Sequence, residues 1–375
     1  MFRCDVDYKN VGSAYFDVDR LKVMKDLRKE RAMLCGIHKG DNSVWLHPDV
    51  QLLARAKILK EVRTVLYAKG VCCGREMFFS LKEFLRVFMR MGGVIEAEPV
   101  NVIGRPTMNI LITPLAEIHM LSTVDLLVDD ESVVVGSSYP MTSVPGKALE
   151  GAARAVAGKL REKGFVGYAS INFIAYRAAN AGEKGAGGSR MSARRELRMC
   201  GVSVDPGLTN AGSMYNFVKF VCGEGGENET EEPLTRAYSC CDGVYNPGLM
   251  SVQYGSFFKL CRMQAVSFDL ESLSGLMFML YDSLAAGLLG MVAVGENPAE
   301  SLDRLHGGFG FIKSNVGNAG AYNEVNLDDP GEGGMGQMAS FVRIMRAVEN
   351  ESRRVGLLHK AETRRRLAKE ARGGP

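Results

Sequence analysis

The sequence of 375 residues predicts an α/β (α+β) protein with one main domain and a smaller C-terminal unit. Three observations carry that prediction. After a short strand read over Phe2 to Tyr8 and a loop over Lys9 to Ser13, apolar residues recur at helical spacing to about residue ninety. Near Val94 the period changes to the two-residue alternation of strands. From there to about Lys313, strands and helices intermix. At 46% hydrophobic and 24% charged residues, the chain can bury a sizeable core.

The elements follow in order. Asp17 and Asp19 precede Leu21, Met24 and Leu27, which marks a capped amphipathic helix. A second helix runs from about Asp49 to Ala68 and ends at Gly70. It carries Val50, Leu53, Ala54, Ile58, Val62, Val65 and Leu66 on one stripe. Ser80-Leu81-Lys82-Glu83 is a capping box, worth ~1 kcal/mol at the cap. Its helix is expected to bury Phe84, Leu85, Phe88 and Met91 and to stop at Gly92-Gly93. Val94 to Val100 and Met108 to Thr113 read as strands, Pro114 to Glu117 as a turn, and Ile118 to Ser122 as a strand pairing back. Leu149, Ala152, Ala153, Val156 and Leu160 mark a helix ended by Gly164, before a strand from Gly167 to Tyr176.

The Gly/Ala-rich stretch from Arg177 to Ser192 has no period and reads as a flexible connection. A strand from Ala193 to Cys200, a helix near Asn210 to Cys222 and an acidic surface loop from Glu224 to Glu232 follow. The second unit reads as a helix (Ser256 to Gln264), a strand (Val266 to Leu270), two buried strands and a helix from about Pro298 to Lys313. The expected organisation is a core over 1–233, a C-terminal α/β extension of the same module over 234–313, a flexible linker over 314–337 and a basic helical tail over 338–375.

Several function classes drop out. A formal charge of +3 is too small to indicate nucleic acid as a partner. Nine cysteines, an odd count with no CxxC pair, point to reduced thiols and a cytoplasmic setting. Leu276 to Val294 approaches membrane-spanning length with one charge, but Asp282-Ser283 and Gly287 sit at its middle. Two buried strands, Leu276 to Tyr281 and Leu288 to Val294, account for it, so no membrane partner is expected.

Candidate chemistry sits where polar groups interrupt apolar patterns. In the strand from Gly167, alternation puts Ala169, Ile171, Phe173 and Ala175 on one face, fit to pack on a helix. Tyr168, Ser170, Asn172, Ile174 and Tyr176 form the other face. Glu196 and Arg198 share a face of the next strand. An antiparallel hairpin would bring Asn172, Glu196 and Arg198 onto one polar surface. That surface is either a solvated sheet face with a Glu196–Arg198 ion pair, worth about 1 kcal/mol at most, or a metal–phosphate site. In the second case Asn172 and Glu196 would hold Mg²⁺ and Arg198 a phosphate. Near the start, Arg3 and the loop at Gly12 and Ser13 could place a cation and backbone N–H groups on phosphates. Glu96, Ala97 and Glu98 read either as a half-exposed strand or as a hinge whose backbone meets an adenine ring while a carboxylate takes ribose hydroxyls.

Taken in order, the motifs "FRCDVDYKNVGSAYFD", "FLRVFMRMGGVIEAEP", "MNILITPLAEIHMLSTVDLL", "SYPMTSVP", "VGYASINF" and "NPGLMSVQYGSFFKLC" resemble the ATP-grasp region of the IQ motif-containing protein H family. That family is itself similar to ligases with a pre-ATP-grasp domain. The resemblance runs from residue 2 to about 313 and implies an ATP-grasp-like fold. It also implies ATP and Mg²⁺ as cofactors and, in an active member, ligation of a carboxylate to an amine through an acyl phosphate. Arg3 falls where a phosphate-binding lysine is usual, and Gly12 and Ser13 fall in the phosphate loop. Glu96, Ala97 and Glu98 fall at the adenine–ribose hinge. Asn172 and Glu196 fall where two metal-binding acids are expected, and Arg198 where active ligases use an asparagine. Such proteins have further sequence ahead of the first strand, so the chain is expected to be N-terminally truncated.

The departures from the family pattern point away from catalysis. Asn172 brings no negative charge, and Arg198 repels a cation and cancels Glu196. The expectation is a degenerate ATP-grasp-like module with a scaffold or protein-interaction role and unidentified protein partners. The alternatives are an active ATP-dependent carboxylate–amine ligase using Arg3 and Arg198, and an adaptor. The adaptor would bind a calmodulin-like protein through the basic tail, with Val355, Leu358 and Leu367 as its apolar points. The family resemblance alone suggests a ciliary or flagellar setting.

Overall fold

Short strands tied together by one capped helix build the first of two units in the computed structural model. The model describes residues 1–4, 12–37, 43–73, 78, 80–99, 101–130, 132–178, 196–223, 234–279, 281–316 and 335–372. The first unit comprises Met1–Glu98 with Glu131–Val133, and the second comprises Pro99–Asp130 with Val134–Pro375.

In the first unit, β1 (Phe2–Cys4), β2 (Ser13–Tyr15), β3 (Val71–Cys72) and β4 (Gly93–Ile95) form an antiparallel sheet in the order β3-β2-β1-β4. Three α-helices precede β3: α1 (Lys22–Ile37), α2 (Ser43–Leu46) and α3 (Pro48–Lys69). The Ser80 hydroxyl accepts from the Glu83 N–H at 3.2 Å, so the capping box starts α4 (Leu81–Met91) as expected. Gly92, at φ 85°, ends it. Phe84 is fully buried between Phe78 and Phe88, with ring centroids 5.2 and 6.0 Å away.

Three expectations are met only in part in this unit. Met91 is 51% exposed because it lies past the last buried turn of α4. The stripe on α3 packs only in part: Ala54 is buried while Leu53 is 60% exposed. Helical spacing shows that an apolar face exists, not that something covers it. The strand expected from Val94 to Val100 is shorter; β4 ends at Ile95 and Glu96–Pro99 continue as irregular chain.

The second unit is built on one antiparallel sheet. Its strands are β5 (Val102–Gly104), β6 (Pro106–Ile112), β7 (Ile118–Val128), β8 (Val134–Tyr139), β9 (Gly167–Ala178), β10 (Glu196–Pro206), β11 (Ala237–Tyr245), β12 (Phe268–Asp269), β13 (Ser274–Met279) and β14 (Leu288–Gly295). Their order is β10-β9-β6-β7-β8-β11-β14-β13-β12, with β5 also on β9. Strands from both sides of the boundary expected at 233 share this sheet, because β11 pairs with β8.

Helices cover it: α5 (Gly146–Glu162), α6 (Asn210–Val221), α7 (Tyr254–Met263), α8 (Pro298–Asn315) and α9 (Met335–Arg372). The apolar face read from the Gly167 strand is confirmed. Ala169, Ile171, Phe173 and Ala175 pack with Leu149, Ala153 and Ala157 of α5 in one core cluster. A second cluster gathers Met214, Tyr215 and Val218 of α6 around Tyr238. The third holds Phe257, Phe309 and Phe341 of α7, α8 and α9. Leu276 to Val294 forms β13, a 3₁₀ turn (Tyr281–Ala286) and β14, so the two-strand reading holds. The strand expected over Val266–Leu270 shrinks to the two residues of β12. Among the described residues, no helix is long and apolar enough to cross a membrane.

The tail departs most from expectation. The start of α9 is part of the core, with Phe341, Ile344, Val348 and Val355 buried. Val355, expected as an exposed anchor for a calmodulin-like partner, is 5% exposed. Leu367 lies where side chains are outside the described residues, as do the glycine-rich connection from 179 to 195, the acidic loop over 224–232 and the linker over 317–334.

Candidate functional site

The expected site residues fall in both units, and each group has its own geometry. In the first unit, Arg3 on β1 pairs with Ser13 on β2 and with Val94 on β4. Ser13 is the first residue of β2, its side chain fully buried and its carbonyl accepting from the Cys73 N–H at 2.9 Å. It is therefore a strand residue, not an exposed member of a phosphate loop. Gly12 is also buried, in the turn before it. The rest of that loop lies outside the described residues. Glu96, Ala97 and Glu98 follow β4 directly; the Glu96 N–H donates to the Met1 carbonyl at 2.9 Å, extending the β1–β4 ladder by one rung. Glu96 and Glu98 are half-buried and Ala97 is exposed.

In the second unit, the hairpin of β9 and β10 is antiparallel, as expected, but its register separates the residues that were read as partners. Asn172 pairs with Ser203, whereas Arg198 pairs with Tyr176 and Glu196 with Ala178. The Asn172 and Glu196 rungs are six positions apart along β9, roughly 20 Å at strand rise. A cation reaches its oxygen ligands at about 2.1 Å. Asn172 and Glu196 therefore do not share a metal. Glu196 and Arg198 form an exposed ion pair, Oε2 to Nη2 at 3.0 Å, at the far end of the hairpin. This is the solvated-face alternative, of small energetic worth.

The carboxylate beside Asn172 is instead Asp205, which the sequence did not single out. The Asn172 Nδ2 donates to Asp205 Oδ2 at 2.6 Å and to Ser203 Oγ at 2.9 Å. Its Oδ1 accepts from Thr107 Oγ1 on β6 at 2.6 Å. Three of the four hydrogen-bonding positions of the amide are thus occupied. This orientation is the favourable one, because a turned amide would point its carbonyl oxygen at the carboxylate.

A second polar row lies alongside. Ser170 Oγ donates to Asn109 Oδ1 at 2.6 Å, and Asn109 Nδ2 donates to Ser122 Oγ on β7 at 2.9 Å. Ser170 also meets the Thr209 hydroxyl at 2.6 Å, and Thr209 caps α6 by accepting from the Gly212 N–H. Thr107, Asn109 and Ser170 are each at most 3% exposed, and their polar groups are satisfied within the sheet.

A β-bulge explains why Asp205 escaped the sequence. The register shifts between Gly201 and Ser203. Simple alternation from Glu196 and Arg198 would put Val202 and Val204 on the Asn172 face. The extra residue re-aims the strand, so that Ser203 and Asp205 take those places. The usable signals were the polar alternation of Ser203 and Asp205 and the Pro206-Gly207 end, all past the Cys200 at which the strand was expected to stop.

Residues 1–186 match the family described as IQCH-like, ATP-grasp, so the first half of the chain resembles an IQCH-like ATP-grasp domain. The chain is 23% identical over 309 residues to IQ motif-containing protein H of Danio rerio, a match that covers 79% of this chain and 27% of that protein. Among solved structures, it resembles the N5-carboxyaminoimidazole ribonucleotide synthetase of Thermus thermophilus at 12% identity and a TM-score of 0.37, over 64% of this chain and 58% of that one. It also resembles a biotin carboxylase–β,γ-ATP complex of Campylobacter jejuni at 9% identity and a TM-score of 0.40, over 61% and 50%. No chemistry follows from likeness of that degree. The chain thus spans about a quarter of the curated relative it matches.

Proposed function

We propose that this chain is a degenerate ATP-grasp module that serves as a protein-interaction or scaffold domain and does not catalyse ligation. The bond between the Asn172 amide and Asp205 carries this reading. ATP-grasp chemistry needs two Mg²⁺ ions to neutralise phosphates and the developing charge at the transferred group. Asn172 and Asp205 offer one negative charge between them, and that charge is already bonded to an N–H donor and a neighbouring amide network. Among the described residues, no group of three or more His, Cys, Asp or Glu side chains could hold a metal. The residues present do not fit a pair of divalent cations, so no catalytic step is derived through them.

A weaker nucleotide-binding function survives in this reading. Arg3 and the hinge at Glu96–Glu98 keep a cation and backbone groups in the positions that the family resemblance assigns to phosphate and adenine. The active-ligase alternative has one observation in its favour: with Asp205 beside Asn172 in place of the Glu196–Arg198 pair, the local charge is −1 and not zero. A ciliary or flagellar setting belongs to the reading on the family resemblance alone.

Thermal shift with Mg-ATP, together with ADP release against a pool of carboxylates and amines, tests the proposal. The expected result is little or no shift and no turnover. Turnover that disappears in Asp205→Asn would establish the ligase.

A further inference from the structure

The large sheet ends at an edge that is only partly covered. β13 pairs with β14 from Gly275 to Met279, whereas β12 pairs only with Ser274 and Gly275. The Leu276 N–H donates to the Ser267 carbonyl at 3.3 Å, on the side away from β14. In an antiparallel ladder, a residue's N–H and C=O point the same way, and the direction repeats every second residue. Phe278 therefore turns both backbone groups outward, past the end of β12. Among the described residues, no backbone group bonds them there.

A cavity of about 320 Å³ adjoins this edge, lined by Leu276, Met277 and Phe278 of β13, by Phe258, Cys261 and Arg262 of α7, and by Val266, Ser267 and Phe268 of the segment that runs from α7 into β12. Leu276 and Phe278 belong to the core cluster on one face of the sheet, and Met277 packs against the cluster on the other. A hollow that touches three consecutive residues of one strand lies at its edge, not over either face. Its lining is mainly apolar. Arg262 is exposed and has no acidic partner among the described residues.

From this juxtaposition we infer that the outer edge of β13 receives an extended peptide from a partner protein as an added strand. An apolar side chain sits in the cavity and an acidic residue meets Arg262. Each feature selects one property of the occupant. The outward N–H and C=O of Phe278 require an extended backbone. The cavity beside them takes an alternate side chain of that strand. The guanidinium takes a carboxylate. A second copy of this chain fits less well, because twofold edge-to-edge pairing would bring two Arg262 side chains together. The inference gives the interaction reading a contact surface and uses none of the nucleotide-site residues.

The test uses the full chain and fluorescently labelled, capped octapeptides in which Thr alternates with Val, Leu, Phe or Met and one end carries Glu. Anisotropy is expected to show saturable binding for at least one of them. Arg262→Glu, on an exposed position, is expected to weaken it about tenfold or more, the scale of 1.4 kcal/mol. N-methylation of the peptide backbone is expected to do the same, and hydrogen exchange at the Phe278 amide is expected to slow on binding. No saturation up to about 1 mM by any of the peptides would overturn the inference, as would binding indifferent to both Arg262→Glu and N-methylation. A monomer–dimer equilibrium in sedimentation that the peptides fail to compete with would assign the edge to a second copy and overturn it too. Mg-ATP binding, whichever way it comes out, leaves these outcomes unchanged, so failure of the nucleotide reading and failure of this one are separate results.

Discussion

The Asn172 amide nitrogen lies 2.6 Å from the Asp205 carboxylate oxygen, joining β9 to β10 through their side chains. An N–H donor thus satisfies one oxygen of the acid. Thr107 and Ser203 hold the amide in that sense. The consequence is that one substitution should change what the site accepts. Asn172→Asp places two carboxylates side by side, and like charges at that spacing cannot both ionise without a counter-ion. Without metal, the variant is expected to melt below the wild type. With millimolar Mn²⁺ it is expected to recover, while the wild type shows no comparable shift. Equal responses of both proteins in a thermal-shift titration would contradict the charge account of this site.

Asp125 on β7 is 3% exposed and joins the sheet to the tail. Its Oδ2 accepts from the Thr142 and Ser143 N–H groups at 2.7 and 3.0 Å and lies 3.4 Å from Arg354 Nη2 on α9; the Ser143 hydroxyl donates to Oδ1. Burial lowers the pKa of Arg354, but Glu351 and then Asp125 outweigh it and leave it raised. The guanidinium therefore stays charged. Asp125→Ala removes an acceptor from several buried donors and is expected to cost roughly 2–4 kcal/mol. Arg354→Met leaves the backbone donors in place and is expected to cost less, about 1–2 kcal/mol. Urea unfolding followed by circular dichroism measures both, and a neutral Asp125→Ala would show that α9 does not depend on this contact.

Glu300 sits in the capping box of α8. The Glu296 N–H and then the Arg304 guanidinium hold its carboxylate below the usual range, against a smaller opposing effect of burial. A depressed folded-state pKa gives stability that is present above the unfolded value, ~4.3 for glutamate, and is lost as pH falls through the folded value. Wild type is therefore expected to exceed Glu300→Gln in stability near pH 7, and the gap is expected to close on acidification. Unfolding curves from pH 7 down to pH 3 test this. A gap that is constant across the range would rule out ionisation as its source.

Cys72, Cys73, Cys200, Cys222, Cys240, Cys241 and Cys261 are free thiols among the described residues. Cys200 is exposed, whereas burial pushes the Cys261 thiol up to about 11. Because the thiolate is the reactive form, brief iodoacetamide treatment at pH 7.5 is expected to label Cys200 well before Cys261. Peptide mapping by mass spectrometry reads the order, and early modification of Cys261 would show that its surroundings open in solution.

Local order decided what the sequence could reveal. The Ser80 capping box, the stop at Gly92, the apolar face of β9 and the two strands within Leu276–Val294 each rest on a few adjacent residues, and each was legible. The family motifs fixed the ATP-grasp assignment for the same reason, as runs of contiguous residues. The candidate site was legible only in part: Asn172 stood out as a polar residue in an apolar strand, but its partner did not.

What only the tertiary structure decided depends on pairing between distant segments. The bulge between Gly201 and Ser203 resets the face of β10 and delivers Asp205 to Asn172, and a single inserted residue leaves no mark in the composition of the strand. The docking of α9 through Phe341, Val348 and Val355 turns a basic tail into core, because its sparse apolar positions find a surface already made by α8 and β11. The stripe on α3, equally plain in sequence, is fully buried only at Ala54; its other residues are half-buried apart from Leu53, which is exposed. Periodicity specifies which side of an element is apolar, whereas register and contact specify what that side meets.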